Sequence, residues 1–200
     1  MKNLLVIFLI FLLSGCKKEN VEILPSAIDN AVTLDTPVYK TYNILKGTNF
    51  CKESTVKLFN GAGINFKVKF TNAAIYQTTA DYNQGDVNKL YGFSEGIDNH
   101  INSARIGWNW QHNALRLYAY VYAGGVRNCK EISKVSIGED IICSIRISTN
   151  KYLFSVDKKE LELPRLLHTN TVAGYWQYPY FGGDEVAPHA ISIDIMDLKN

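Results

Sequence analysis

Two hundred residues with 21 basic and 19 acidic side chains carry a formal charge of +2 at pH 7. That near balance argues against nucleic acid as a partner, because electrostatic binding to phosphates calls for a clustered basic face. Twelve tyrosines and nine phenylalanines against two methionines, with few helix-forming runs, point to β structure, and the length suffices for one domain with a real core.

The N-terminus reads as an address. Lys2 supplies a positive start and "LLVIFLIFLL" (Leu4–Leu13) an apolar run too short to cross a bilayer as a mature helix. Residues 1–15 are therefore expected to be a cleaved signal peptide. The ending Leu13-Ser14-Gly15-Cys16 resembles the bacterial lipobox, which implies a diacylated Cys16 at the new N-terminus. Two acyl chains anchor stably where one binds only marginally, so the membrane is an expected partner through this lipid. Lys17 stands where an aspartate would mark inner-membrane retention in enteric bacteria, so the expected location is the outer membrane of the cell envelope. Residues 16–36, interrupted by Pro25 and without a sustained period, read as a lipidated tether.

Residues 37–200 read as a β-sandwich domain. "INFKVKF" (Ile64–Phe70) places Ile64, Phe66, Val68 and Phe70 on one face and Lys67 and Lys69 on the other. "KYLFSVD" (Lys151–Asp157) alternates similarly, and "AISIDIMDL" (Ala190–Leu198) turns Ile191, Ile193 and Ile195 to one side. Short alternating runs with frequent turn signals predict an all-β antiparallel sandwich or barrel.

The most regular segment is "ARIGWNWQHNALRLYAYVYAGG" (104–125). A two-residue turn at His112-Asn113 sets Trp110 against Leu115, Trp108 against Leu117, Ile106 against Ala119 and Ala104 against Val121. Those pairs form an apolar core face. A three-residue loop would mix apolar and polar residues in every layer, so register consistency selects the shorter turn. The opposite face then carries Arg105, Asn109, Arg116, Tyr118, Tyr120 and Tyr122, with Gly107 leaving room for the Tyr118 ring. Tyrosine offers a flat apolar ring with a polar tip, suited to stacking on a sugar, while Arg and Asn can donate to hydroxyls or carboxylates. These six residues are the candidate ligand-binding set. A plain exposed strand would also favour tyrosine, which has high β propensity.

Two loops hold acids beside glycine. "YWQYPYFGGDEVAPH" (Tyr175–His189) offers Asp184 and Glu185 as candidate calcium ligands, and "FSEGIDNH" (Phe93–His100) offers Glu95, Asp98 and Asn99. Neither has an EF-hand spacing, and such acids also serve as turn formers. No cofactor other than this calcium is expected. Catalytic signatures are absent: there is no G-x-S-x-G elbow, and no strand carries closely alternating carboxylates. Arg105 with Tyr118 or Tyr120 could serve a polysaccharide lyase as neutraliser and base. After export Cys51, Cys129 and Cys143 remain, and a Cys129–Cys143 disulfide closes the shortest loop, with Cys51 paired to either as an alternative. "KEISKVSIGEDII" between Cys129 and Cys143 reads as two strands around a turn at Gly138-Glu139-Asp140.

The strings "DVNKLYGFSEG", "NSARIGWNW", "ALRLYAYVYAGGVR" and "PYFGGDEVAPHAISIDI" resemble an uncharacterised group of secreted or lipidated Bacteroidota proteins, from about Tyr42 to the C-terminus. That resemblance implies export and transfers no catalytic residue. The strand order around "ICSIRISTNKYLFSVDKKELELPR" is similar to concanavalin-like jelly rolls, which implies contact with carbohydrate. The sequence thus predicts an outer-membrane lipoprotein binding a glycan, or a similar extracellular ligand, on its tyrosine-bearing sheet. A polysaccharide lyase or glycosidase using the same face, and an adhesive envelope protein without a small ligand, are the alternatives.

Overall fold

Alternation of apolar and polar side chains over short runs produces, among the described residues, twelve strands and two short 3-10 turns. The computed structural model describes residues 38–199. The predicted signal peptide, Cys16 and the whole of the tether lie outside the described residues. In chain order the strands are β1 (Lys40–Ile44), β2 (Leu58–Gly61), β3 (Gly63–Phe70), β4 (Asn88–Ser94), β5 (Asn102–Gln111) and β6 (Ala114–Ala123). They continue as β7 (Val126–Val135), β8 (Ile141–Ser148), β9 (Lys151–Val156), β10 (Lys159–Pro164), β11 (Val172–Gln177) and β12 (Ile191–Leu198). Two six-stranded sheets result, ordered β1-β12-β3-β8-β9-β10 and β2-β11-β4-β5-β6-β7, with every pairing antiparallel. The first and last strands are neighbours and the chain passes repeatedly between sheets, which is a jelly-roll sandwich.

The alternation decides which faces meet. Ile64, Phe66, Val68 and Phe70 of β3 and Ile191, Ile193 and Ile195 of β12 are all buried, as their period-2 pattern predicts. The two sheets pack on each other through ring contacts: Phe66 with Tyr91 at 5.2 Å, Phe70 with Trp108 at 5.4 Å and Tyr152 of β9 with Phe93 of β4 at 6.4 Å between centroids. The predicted β5–β6 register is present in full, from Gln111 opposite Ala114 to Ser103 opposite Tyr122. His112 and Asn113 have φ of 51° and 55°, the left-handed pair that a two-residue turn needs to match strand twist.

The expected disulfide is absent. Cys51, Cys129 and Cys143 are all free thiols. Cys129 pairs with Tyr120 in the second sheet, whereas Cys143 pairs with Phe66 in the first and is fully buried in the core. The segment at Gly138 is a crossing between sheets rather than a hairpin. Its amide donates to the Phe70 carbonyl at 2.8 Å, fastening the crossing to β3.

Candidate functional site

The face of the second sheet turned away from the core carries Lys89 on β4, Arg105 on β5, Tyr120 and Tyr122 on β6, and Arg127 and Cys129 on β7. Lys89 owes its position to a bulge. The β4–β5 register shifts between Lys89 and Tyr91, so Lys89 lies opposite Gly107 while Leu90 and Tyr91 are both buried. Loops wall this face. Backbone amides of Lys89 and Tyr180 each donate to the other's carbonyl at 2.9 Å, holding the segment after β11 beside β4. The enclosed cleft has a volume of about 390 Å³, with Lys89, Asn99, His100, Arg105, Gln177 and Tyr180 in its lining. A smaller recess of about 120 Å³ shares Lys89 and Gly183 with it and is lined further by Tyr120, Arg127 and Cys129.

The six predicted binding residues divide. Arg105 lines the main cleft and Tyr120 the recess, while Tyr122 sets its ring edge-on to His100 at 5.1 Å and near Tyr120 at 5.9 Å. Asn109, Arg116 and Tyr118 lie farther along the strands and are engaged with one another's surroundings. The Tyr118 hydroxyl donates to Asn109 Oδ1 at 3.1 Å, and Asn109 Nδ2 donates to the Gly85 carbonyl at 3.3 Å. Arg116 pairs with Glu131 at 2.8 Å. The space above Gly107 is taken by Val87: a Cβ at Gly107 would stand 2.5 Å from a Val87 methyl carbon. The face is therefore not open. Tyr120 and Arg105 are buried under the loops, and Tyr118 and Tyr122 are half-buried.

The cleft is cationic. The Lys89 amine donates to the Gly182 carbonyl at 2.8 Å and lies over the rings of Tyr120 and Tyr180, 5.3 and 5.6 Å from their centroids. Burial, and then the neighbouring Arg105 charge, lower its pKa to about 8, with Asp86 pulling the other way. It is charged at neutral pH but gives up its proton well before an exposed lysine does. Burial also lowers the pKa of Arg105, whose guanidinium stays charged regardless. Burial and the adjacent Tyr122 hydroxyl push Tyr120 up to about 12, so it remains a phenol. The Cys129 thiol is pushed by burial up to about 11, which leaves little thiolate to act as a nucleophile.

Of the acids predicted to hold calcium, Glu185, Glu95 and Asp98 accept hydrogen bonds from the protein. Glu185 accepts from the amides of Thr79 and Ala80 at 2.7 and 2.9 Å and from Asn83 Nδ2 at 2.8 Å. Those bonds, Asn83's first, lower its pKa and tie the 181–185 loop to the 3-10 turn at Asp81–Gly85. Asp184 is exposed beside it. Glu95 is buried in a bidentate pair with Arg165, and the Asp98 carboxylate accepts from the His100 amide. Among the described residues no three His, Cys, Asp or Glu side chains are placed to share a metal ion.

Lys89, His100, Gln177, Tyr180 and Arg127 are not among the predicted site residues, and Asn99 is predicted only as a calcium ligand. Arg127 and Cys129 had a signal: a two-residue turn at Gly124-Gly125 sets them opposite Tyr122 and Tyr120. Lys89 had none, because plain alternation in "NKLYGFS" gives no sign of the bulge that places it. The others come from loops whose path depends on contacts remote in sequence.

No protein-family model matches this chain, and no curated protein matches it by sequence. Solved structures resemble it in outline. The laminarinase catalytic domain from Thermotoga maritima MSB8 is 12% identical, with a TM-score of 0.47 over 84% of this chain and 82% of that one. A family 7 alginate lyase is 8% identical, with a TM-score of 0.47 over 78% and 76%. A carbohydrate-binding module from Bacillus subtilis is 6% identical, with a TM-score of 0.34 over 80% and 92%. Likeness at this level carries no argument about function, which has to come from the cleft itself.

Proposed function

We propose that this protein is an outer-membrane lipoprotein of the cell envelope that binds a glycan in the cleft over the outer face of its second sheet. The observation that carries the reading is the cleft's lining: tyrosine rings beside Lys89, Arg105, Asn99 and Gln177, around a space of about 390 Å³. Small sites of this kind combine apolar walls with a few placed polar groups. Tyr180 presents a partly exposed ring, and Gln177 and Asn99, joined at 3.1 Å, supply amide groups suited to sugar hydroxyls. Glycosidase chemistry fits less well. It normally needs two facing carboxyl groups, and among the described residues the main cleft is lined by none while the recess has only Asp86.

The test is a glycan array followed by calorimetry on the full chain, with Cys16→Ser keeping it free of lipid. At least one glycan class should bind, and Tyr180→Ala should weaken it about ten-fold without lowering the melting temperature, since that ring is outside the core. Absence of binding to any glycan, or binding untouched by substitutions in the cleft, would remove the reading. The anchor is tested separately. Cys16→Ser should abolish lipid labelling in cells, whereas processing of the wild type that proceeds despite inhibition of lipoprotein signal peptidase would rule the anchor out.

A further inference from the structure

The molecule holds two buried arginines in opposite states. Arg165 is satisfied almost completely. Its Nε and Nη2 grip the two oxygens of Glu95 at 2.7 and 2.9 Å, and it also donates to Thr169 O at 2.7 Å, Thr169 Oγ1 at 2.8 Å and Ser148 O at 3.2 Å. Arg105 is only 7% exposed, yet its Nε has no partner among the described residues. Its Nη2 reaches only the Asn99 carbonyl and Ser103 Oγ, at 3.4 and 3.5 Å. Among the described residues no carboxylate forms an ion pair or hydrogen bond with it. Its charged and titratable neighbours among the described residues are Lys89, which it repels, and the phenols of Tyr120 and Tyr122.

A buried cation without a counter-charge is costly, and a second cation beside it adds to the cost. The sheet is nonetheless shaped to keep Arg105 there. Gly92 lies opposite it on β4, and a Cβ at that position would stand 2.7 and 2.9 Å from the Arg105 Cα and Cγ. A second orphan borders the same cleft: Asn99 Oδ1 is buried and accepts nothing. A guanidinium with no counter-charge and an unpaired Nε, beside a carbonyl oxygen lacking a donor, describes a ligand that carries an anionic group and a hydroxyl.

Resting on the glycan reading, we infer that the ligand is an acidic sugar, its carboxylate or sulfate held by the Arg105 guanidinium with the Lys89 ammonium alongside and one of its hydroxyls donated to Asn99. A planar guanidinium fork matches such oxyanions and can take them in two parallel bonds, which a lysine cannot.

Calorimetry on the lipid-free full chain separates the outcomes with four probes: an oligouronate, its methyl ester, a sulfated oligosaccharide and a neutral oligosaccharide. An acidic probe should bind, with affinity falling as salt rises. Preference for the oligouronate or for the sulfated probe identifies which anion the cleft takes. Esterification of the oligouronate, or absence of the sulfate, should cost about ten-fold or more. Arg105→Leu should lose the same factor while the melting temperature holds or rises, because an unpaired buried charge has been removed. Lys89→Met reports on the same anion should Arg105→Leu fail to fold. Equal affinity for neutral and acidic probes would overturn the acidic ligand and leave the glycan reading standing. Failure of every sugar to bind would overturn both. Retained discrimination against the ester and the neutral probe in Arg105→Leu and Lys89→Met alike would show that the anion is held elsewhere.

Discussion

Glu95→Ala is expected to lower the free energy of unfolding by about 3–5 kcal/mol, because it strands a buried guanidinium. The Glu95 and Arg165 side chains are 2% and 0% exposed, so water cannot replace the lost partner. The Tyr152 hydroxyl also donates to Glu95 Oε1 and would be orphaned with Arg165. This cluster joins the end of β4 to the β9–β10 hairpin and the segment that follows it, 57 to 70 residues farther along the chain. It also anchors the loop that brings Asn99 and His100 to the cleft. Urea unfolding at neutral pH measures the loss. The pair is not expected to be worth that much against an apolar replacement. Combining Glu95→Leu and Tyr152→Phe with Arg165→Met should recover most of the stability, since both buried charges and the hydroxyl they would strand are removed together. A loss below about 1 kcal/mol in the single variant would mean the pair behaves as a solvated surface bridge, contrary to its burial.

The same cluster marks the boundary of what the sequence discloses. Glu95 stands out as an acid in a glycine-containing turn, which suits a calcium ligand or a turn former equally well. Its actual partner is 70 residues away, and no local pattern points to Arg165. Strands fared better because their information is local. Alternation sets which side of β3, β5, β6 and β12 is buried, and His112-Asn113 sets the β5–β6 register through backbone conformation alone. A turn signal does not say whether the chain returns to the same sheet, however. Around Gly124-Gly125 it does, and around Gly138 it crosses to the other sheet, which separates Cys129 from Cys143. The candidate site divides on the same line. Arg105, Tyr120 and Tyr122 follow from the hairpin, whereas Lys89 needs a bulge and Asn99, His100, Gln177 and Tyr180 need loops held by long-range hydrogen bonds.

Trp108→Ala is expected to cost about 3–5 kcal/mol, the range for truncating a large aromatic in a packed core. Trp108 is fully buried, and its ring lies 5.4 Å from Phe70, 5.7 Å from Tyr76 and 6.4 Å from Phe181. Phe70 belongs to the facing sheet, while Tyr76 and Phe181 come from the loops beside the cleft. Truncation would open a cavity beneath the segment that carries Tyr180 and Gly182, so it should weaken ligand binding indirectly as well. Trp108→Phe should cost clearly less. It preserves most of the ring contacts and also removes an indole N–H that is buried without an acceptor. Chemical denaturation of both variants beside Arg105→Leu distinguishes support from recognition. The Trp108→Ala loss should appear in stability first, and the Arg105→Leu loss in binding alone. Equal stability of Trp108→Ala and wild type would show that the two sheets do not depend on this ring for their packing. The loops over the cleft would then be held by the hydrogen bonds that Glu185 accepts and Lys89 donates, without the core beneath them.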